Sequence, residues 1–266
     1  MGTDSDADTG AGADEGADPG GRTHAWRIEP REYERHELRR GRRHAYERIE
    51  AARTALVVID MVAFFVAANP YARGIVPRIA LLAGALRAAG GLVAWVLPGR
   101  QAPLGARSGE FYGAAASEVF ARSGGEGPPR GRLWPAFEVG ADDLVVEKSA
   151  YSAFFPGRSP LPGLLVERGV DTVLVTGTLT DVCCESSARD AATTGFRVLM
   201  VADANAARRD RDHNAALHVI YRSFGDVRST ADVLRLLGEP PGPGRMAEAE
   251  AEQGRQERNG PMGDHR

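Results

Sequence analysis

Short apolar runs alternate with helix-like segments along most of this chain, and this alternation constrains the fold more than any other feature. Strand-length apolar runs stand at residues 55–60, 92–97, 143–148, 171–177 and 196–203, with a shorter candidate at 226–230. Helix-like segments lie between them at 75–91, at 159–170, after residue 177 and at 211–225. Apolar runs without polar alternation are typical of strands covered on both faces. The pattern predicts an α/β fold, a doubly wound three-layer sandwich with a mostly parallel sheet.

The two ends of the chain differ in composition from this body. Residues 1–24 are acidic, and the first 21 contain six acidic residues and no basic one. Residues 239–266 are rich in Pro, Gly and charged residues. Such segments have too little apolar surface to bury, so we predict that both are disordered tails around a folded domain at 52–238. The irregular, Gly- and Pro-containing stretch at 98–141 is predicted to be a long excursion from that domain.

Residues 25–51 form an arginine-rich arm with interleaved glutamates. An arm that binds nucleic acid and a solvated helix are both compatible with this composition. The glutamates favour a helical arm, packed by Tyr33, Leu38, Tyr46 and Ile49. The net charge of −3 gives no general attraction to nucleic acid or membranes.

Several protein classes are disfavoured by the sequence. No run of about 18 apolar residues is present, and the N-terminus lacks a basic region followed by an apolar stretch. The two cysteines are adjacent, so they cannot form a disulfide framework, and a bridge between them would be strained. We therefore expect reduced thiols and a cytoplasmic location, with no membrane partner.

Three reactive side chains are predicted at the carboxyl ends of strands, where parallel sheets bind their ligands. Asp60 closes the first strand, Lys148 closes the third, and Cys183 or Cys184 begins the helix after the fourth. Each has a simpler explanation: Asp60 as a turn residue, Lys148 as a surface charge, and a buried cysteine as a small apolar side chain. Their occurrence together at one edge of the sheet favours a catalytic centre.

The lysine is unusual in this chain. Lys148 is the only lysine among 33 lysine and arginine residues. A compact ammonium fits a tight pocket beside a thiolate and a carboxylate, where a planar guanidinium does not. A single exception can also arise by chance.

Helix geometry separates the two cysteines. Neighbours on a helix point about 100° apart, so only one of them can face the cleft. Cys184 shares a small apolar face with Ala188, Ala191 and Ala192, and Cys183 shares a polar face with Ser187, Asp190 and Thr194. If Thr180 or Asp181 caps the helix, Cys183 lies in its first turn, where free N–H groups and the helix dipole stabilise a thiolate. Cys183 is therefore the candidate nucleophile, with a predicted pKa below that of free cysteine, and Cys184 the packing residue.

The chain resembles the isochorismatase-like cysteine hydrolase family. The matching pieces are "ALVVIDM" at 55–61, "EKSAYSAF" at 147–154, "VTGTLTDVCCESSARDAATTGFRVLMVADA" at 175–204 and "HNAALHVIYRSFGDVRST" at 213–230. The third piece, a Gly-x-x-Thr-x-x-Cys turn followed by Ala-Arg-Asp-Ala, is the most specific. The resemblance implies a catalytic triad of Asp60, Lys148 and Cys183, an oxyanion hole from the N–H groups near Thr180 and Cys183, and a cis peptide at Leu179–Thr180.

Differences from the family pattern bear on the substrate. "DMVAFF" places Val62 and Ala63 where many members carry Gln-Asn, while Phe65 falls where many carry a pocket phenylalanine. Phe65, Tyr151 and Phe154 are candidates to hold a planar substrate, or they are ordinary core residues. The metal-binding nicotinamidases of the family use an Asp and two His near the exit of the second strand, where this chain reads "LPGRQAP". We therefore expect neither a metal nor a cofactor.

The function implied by the resemblance is hydrolysis of a small amide, ureido or carbamoyl C–N bond through a thioester. Members that cleave the vinyl ether of isochorismate lack the nucleophilic cysteine, so its presence here favours attack on an acyl carbon. The alternatives are hydrolysis of a non-amide bond and a non-catalytic member of the fold. Release of ammonia or an amine separates the first of these from the amidase, and an unreactive Cys183 would indicate the second. We expect a small-molecule substrate, no nucleic-acid partner, and a homo-oligomer, either a dimer or a tetramer.

Overall fold

The computed structural model describes residues 21–100 and 105–238, and a six-stranded parallel sheet lies at its centre. The strands are β1 (Thr54–Ile59), β2 (Leu92–Pro98), β3 (Leu144–Lys148), β4 (Thr172–Thr178), β5 (Arg197–Ala206) and β6 (Asp226–Arg228). They lie side by side in the order β3-β2-β1-β4-β5-β6, and every neighbouring pair is parallel. The predicted doubly wound α/β fold is therefore confirmed.

The helices of the described residues are mostly short. They are α1 (Pro30–Arg40), α2 (Ala63–Val66), α3 (Pro70–Ala88), α4 (Ser108–Tyr112), α5 (Ala114–Ala121), α6 (Pro129–Arg132), α7 (Leu161–Glu167), α8 (Glu185–Thr193), α9 (Asp210–Ser223) and α10 (Thr230–Leu236). A π-helical turn (Thr180–Cys184) leads directly into α8. Helix α3 begins five residues before the predicted start, because Pro70 occupies its first position and the Asn69 side chain accepts the Tyr71 N–H at 3.0 Å.

Two apolar cores cover the two faces of the sheet. Alternate residues of β1 enter different cores: Val57 and Ile59 pack in one, and Leu56 and Val58 in the other. The first core includes apolar residues of α7, α8 and α9, and the second those of α3 and α10. Every residue of β1 is buried, as expected for a central strand with helices on both sides.

The strand order places a ligand-binding crevice next to β1. The chain moves outward from β1 to β2 and β3, and then returns to the other side of β1 with β4. The connections after β1 and β4 therefore lead to opposite sides of the sheet, and a cleft forms at the carboxyl ends of these strands. Asp60 directly follows β1, and Cys183 lies five residues beyond the end of β4.

The structure corrects three predictions at the edges of the domain. The acidic tail was predicted to extend to residue 24, but Arg22 donates its N–H to the Pro70 carbonyl at 2.9 Å and His24 is buried. Leu38 was predicted to pack the arm, but it is 88% exposed, because it lies on the outer face of α1. The excursion at 98–141 contains α4, α5 and α6 and is therefore partly helical. The predicted disorder of residues 1–20 and 239–266 concerns residues outside the described ranges.

Among the helices described, none is both long enough and apolar enough to cross a lipid bilayer.

Candidate active site

Asp60 is held in an unusual backbone conformation at the end of β1. Its φ of 54° lies in the left-handed region, which non-glycine residues rarely adopt. Its N–H donates to the Val96 carbonyl at 2.8 Å, and its own carbonyl accepts the Thr178 hydroxyl at 3.1 Å. Its side chain is only 1% exposed. Neighbouring strands thus fix the backbone on both sides, and strain of this kind is common at functional sites.

Lys148 ends β3 and reaches across β2 to the same place. Its Nζ lies 2.8 Å from Asp60 Oδ2, 3.1 Å from the Ala150 carbonyl and 3.6 Å from Cys183 Sγ. Its side chain is only 3% exposed. These contacts exclude the interpretation of Lys148 as a solvated surface charge. The ammonium thus donates hydrogen bonds to the Ala150 carbonyl and the Cys183 sulfur and forms an ion pair with the Asp60 carboxylate.

The two cysteines have different surroundings, as helix geometry predicted. Cys184 is 0% exposed and packs with Ala188 and Ala191 in the core, its Sγ 3.9 Å from the Thr176 carbonyl. Cys183 is 8% exposed, and its Sγ faces the Lys148 ammonium. The Ser187 hydroxyl, one turn further along, donates to the Cys183 carbonyl at 2.6 Å. The structure thus brings Cys183, and not Cys184, to Lys148 and Asp60.

The turn before α8 differs from the predicted capped helix. Neither Thr180 nor Asp181 caps it; the Leu179 carbonyl accepts the N–H groups of Val182 and Cys184, both at 3.1 Å. The Thr180 hydroxyl instead contacts His213 Nδ1 at 2.9 Å. The cis peptide joins Thr178, the last residue of β4, to Leu179, one bond earlier than the resemblance implied. The predicted oxyanion donors, the N–H groups of Thr180 and Cys183, are distinct from the two bound by Leu179 and remain a prediction.

The surroundings of Cys183 oppose the low pKa that its position near the start of the helix predicts. Burial raises the pKa of this thiol to about 12, because the favourable charge of Lys148 does not compensate for desolvation and the nearby Asp60 carboxylate. Burial also raises the pKa of Asp60, against the opposing effect of Lys148. Burial alone would lower the pKa of Lys148, but its attraction to Asp60 and Cys183 outweighs this and raises it. At neutral pH the resting site therefore holds a protonated lysine beside a neutral thiol.

The three predicted substrate-binding residues differ in position. Tyr151 is half-buried, its hydroxyl is hydrogen-bonded to that of Tyr112, and burial and this bond raise its pKa, with a contribution from Cys183. Phe65 is half-buried and meets Phe64 edge to face at 4.8 Å between ring centroids. Phe154 is fully buried and meets Phe196 edge to face at 5.5 Å between ring centroids, which favours the alternative interpretation of Phe154 as a core residue.

Two aromatic residues near the site were missed by sequence reasoning. Phe120 of α5 lies 6.1 Å from Phe64 and 4.9 Å from Tyr112, between ring centroids. Tyr112 in turn is hydrogen-bonded to Tyr151. A continuous row of rings therefore joins the segment after Asp60 to the segment after Lys148; its members are Phe65, Phe64, Phe120, Tyr112 and Tyr151. No sequence signal identified Tyr112 or Phe120, since helices as short as α4 and α5 give no readable periodicity.

A cavity of about 340 Å³ begins two residues beyond Lys148, at Ala150, and Asp60, Lys148 and Cys183 are not among its lining residues. It lies between the segment after Lys148 and helix α8, and its lining includes Tyr151, Arg158, Ser186 and Asp190. This volume is within the range of small-ligand pockets. In the ranges 21–100 and 105–238, no group of three or more His, Cys, Asp or Glu side chains has an arrangement that could hold a metal ion.

Comparison with known proteins agrees with this architecture. Residues 54–232 match the family model for the isochorismatase domain. The chain is 31% identical over 194 residues to YecD of Escherichia coli O157:H7, an uncharacterized isochorismatase family protein, covering 71% of this chain and 98% of the relative. It is 36% identical over 112 residues to the maleamate amidohydrolase of Pseudomonas putida, covering 42% of this chain and 52% of that enzyme.

A solved structure shows the same fold. The cysteine hydrolase of Pseudomonas syringae pv. phaseolicola superposes with a TM-score of 0.63 at 29% identity, covering 73% of this chain and 97% of that one. The family match over residues 54–232 includes every strand of the sheet and the three clustered side chains of Asp60, Lys148 and Cys183. This chain therefore belongs to the isochorismatase family.

Proposed function

We propose that this protein is a cysteine-dependent hydrolase that cleaves a small amide, ureido or carbamoyl C–N bond through a thioester. The observation that carries the proposal is the contact of one ammonium with both a carboxylate, at 2.8 Å, and a thiol, at 3.6 Å, in a buried centre. A nucleophile, a proton acceptor and a positive charge are the groups that acyl transfer requires. Similarity to a maleamate amidohydrolase and to a cysteine hydrolase supports the same reaction class.

The first half of the reaction forms the thioester. Asp60 accepts the proton of the Cys183 thiol as the sulfur attacks the substrate carbonyl. The raised pKa of Asp60 makes it a better proton acceptor, and Lys148 stabilises the negative charge that develops. Backbone N–H groups at Thr180 and Cys183 stabilise the oxyanion, each by about 3 kcal/mol. When the tetrahedral intermediate collapses, Asp60 returns the proton to the leaving nitrogen, and ammonia or an amine departs.

The second half of the reaction hydrolyses the thioester. Asp60, ionised again, takes a proton from water, and the hydroxide attacks the same carbonyl. The C–S bond breaks, the carboxylic or carbamic acid leaves, and the sulfur recovers its proton from Asp60. Because the pKa of the resting Cys183 thiol is raised, the sulfur gives its proton to Asp60 as it attacks the carbonyl, not beforehand. The placement of the substrate carbonyl close to the sulfur and to Asp60 is therefore important for the rate.

The adjacent cysteine offers a matched control for this proposal. Cys183→Ala should abolish ammonia release from a panel of amides and ureas, while Cys184→Ala, one residue away in the core, should retain most of the activity. Rapid acid quenching followed by peptide mass spectrometry should find the acyl adduct on Cys183. Ammonia release by Cys183→Ala at a tenth or more of the parent rate would contradict the mechanism. Product formation without ammonia or amine would indicate hydrolysis of a non-amide bond.

The row of rings between the segments after Asp60 and Lys148 is a candidate for selecting the substrate. Tyr112→Phe removes one hydroxyl of the Tyr112–Tyr151 hydrogen bond and leaves both rings in place. If this row contacts the substrate, the variant should change KM several-fold more than kcat for planar amides. An equal KM for planar and non-planar substrates, in both the parent and Tyr112→Phe, would show that the row lies outside the binding site.

A further inference from the structure

A fully buried histidine that takes no part in the proposed chemistry lies directly behind the nucleophile turn. His213 is in the first turn of α9, with no side-chain exposure, and its Nδ1 lies 2.9 Å from the Thr180 hydroxyl. Thr180 is itself fully buried, three residues before Cys183. A buried hydroxyl needs a partner, so this contact fixes the Thr180 side chain and the start of the turn.

His213 is held from its other side by His24. The two rings stack at 4.2 Å with 14° between their planes, and His24 also stacks on Tyr71 at 3.9 Å and 7°. His24 Nε2 accepts the Ala207 N–H at 3.0 Å, so Nδ1 carries the ring proton and donates it to Asp210 Oδ1 at 2.6 Å. This pairing sets both the tautomer and the plane of His24. A column of three rings, Tyr71, His24 and His213, thus ends on Thr180.

His24 belongs to an N-terminal segment that lies across α3 and α9. This segment, residues 21–28, is called the strap below. Asn214 of α9 pairs with it twice: its side-chain oxygen accepts the Arg27 N–H at 2.7 Å, and its Nδ2 donates to the Ala25 carbonyl at 3.0 Å. On α3, the strap passes so close to Gly74 that a Cβ there would overlap with the Arg22 carbonyl. The strap is therefore built into the domain.

We propose that His213 is a positioning residue, held in place by the strap, that fixes Thr180 and with it the turn that carries Cys183. The contacts form one unbroken path: the strap orients His24, His24 stacks on His213, and His213 contacts Thr180. The side chains of His24, His213 and Thr180, which make these contacts, are all buried. The inference rests on the proposed hydrolase function only where kcat is used as a measurement, since the position of the turn can be measured without substrate.

The test is a double-mutant cycle across the His213–Thr180 contact. His213→Phe keeps a flat ring in the stack and removes its nitrogens, and Thr180→Val replaces the hydroxyl with a methyl group. Each should lower kcat about tenfold with little change in KM, and the double variant should lose no more than either single one. His213→Asn and Thr180→Ser, which keep a polar atom, should restore most of the rate. Additive losses, or unchanged kcat in both single variants, would overturn the proposal.

Hydrogen exchange supplies the measurement that needs no substrate. Both single variants should speed amide exchange in peptides covering 179–184 by tenfold or more, while exchange in β1 stays as in the parent protein. If exchange responds in this way but no amide is hydrolysed by any form, the positioning role stands and the proposed function fails. If the parent hydrolyses amides but exchange at 179–184 is the same in all forms, the positioning role fails and the function stands.

Two glycines of α3 test the role of the strap. Gly74→Ala would force the strap away from the helix, whereas Gly84→Ala, on the same helix, meets nothing within 4 Å. Alanine is the better helix former, so both changes favour α3 itself. We expect Gly74→Ala to speed exchange in both 21–28 and 179–184, and Gly84→Ala to leave both unchanged. Faster exchange in 21–28 alone would show that the strap does not support the turn.

Discussion

At the scale of single residues, the site depends on one ammonium shared by two acids. Lys148 touches the Asp60 carboxylate and the Cys183 sulfur together, and both partners are almost entirely buried. A substitution that removes the Lys148 charge would leave the Asp60 carboxylate buried without a positive partner, which is costly in a low dielectric. The composition of the chain agrees with this role, because Lys148 is its one lysine and the other 32 of these basic residues are arginine.

Lys148→Arg should fold but lose about a hundredfold or more in kcat, roughly 2.7 kcal/mol of barrier. Arginine is longer and planar, and it pairs with a carboxylate through two hydrogen bonds, so it would hold Asp60 away from the thiol proton. Lys148→Met should lose at least as much activity, and its free energy of unfolding should fall by about 3 kcal/mol or more. Turnover and urea unfolding measure both effects. Near-normal turnover by Lys148→Arg would remove Lys148 from the mechanism.

The raised pKa of Cys183 predicts slow alkylation at neutral pH. Thiolate is the reactive form, and a pKa of about 12 leaves very little of it at pH 7. In a Cys184→Ala background, the rate of Cys183 modification by iodoacetamide should be below that of free cysteine and should rise steadily to at least pH 10. A plateau between pH 6 and 8 would show that the thiolate is already formed and would restore the low pKa expected from the sequence.

The raised pKa of the Cys183 thiol also predicts that the folded protein loses stability in alkaline solution. The folded pKa lies above the unfolded value of about 8.5, so above that pH the unfolded state binds fewer protons than the folded state. The stabilisation is fully present below pH 8.5 and is lost as pH rises toward 12. Urea unfolding between pH 7 and 10.5 should show a smaller decline for Cys183→Ser than for the parent protein. Parallel curves would contradict this linkage.

At the scale of elements, the contact between β1 and β4 sets the spacing of the site. Gly177 pairs with Ile59 in the sheet, at a φ of 113°, and a Cβ there would overlap with the Ile59 carbonyl. Asp60 follows Ile59 directly, so any separation of the two strands moves Asp60 relative to Cys183. Glycine is required at this position for both conformation and close approach.

Gly177→Ala should therefore lower the free energy of unfolding by about 3 kcal/mol or more, since it combines backbone strain with a steric clash. Gly195→Ala is the matched control, because Gly195 has a similar φ of 99° but open space around it. It should cost only the backbone strain, about 1–2 kcal/mol. Denaturant unfolding compares the two, and equal losses would show that the approach of β4 to β1 is not tight.

Much of this arrangement was predictable, because buried strands leave continuous apolar runs. All six strands were placed to within a few residues, and their carboxyl ends located Asp60, Lys148 and Cys183. The pKa of Cys183 was not predictable, because it depends on how completely neighbouring elements bury the thiol. The helices within 98–141 were missed, because short segments give little periodicity. The docking of His24 was also missed, since its partners are about 180 residues away in sequence.

At the scale of the whole molecule, the domain is completed by a segment outside the family match. That match begins at residue 54, but the strap docks on α3 and α9, and α1 and the residues after it pack Tyr33, His36 and His44 around Tyr221. The backbone pairs of the strap and its ring stack cover the back of the nucleophile turn. The stability of the site should therefore depend on residues that the family model does not include.

Nested truncations test where the folded protein begins. Removing residues 1–20 should leave the Tm unchanged, because this acidic stretch offers almost no apolar surface to bury. Removing residues 1–28 also takes away His24, which leaves Asp210, the Ala207 N–H and the face of His213 without their partner. Since buried polar groups cost about 1–3 kcal/mol each when unsatisfied, we expect the Tm to fall by at least several degrees. Thermal unfolding of the two truncated proteins, compared with the full chain, measures the difference.

An equal Tm for both truncated proteins would show that the strap contributes nothing to stability. A lower Tm after removal of residues 1–20 alone would show that the acidic stretch itself contributes to the stability of the fold.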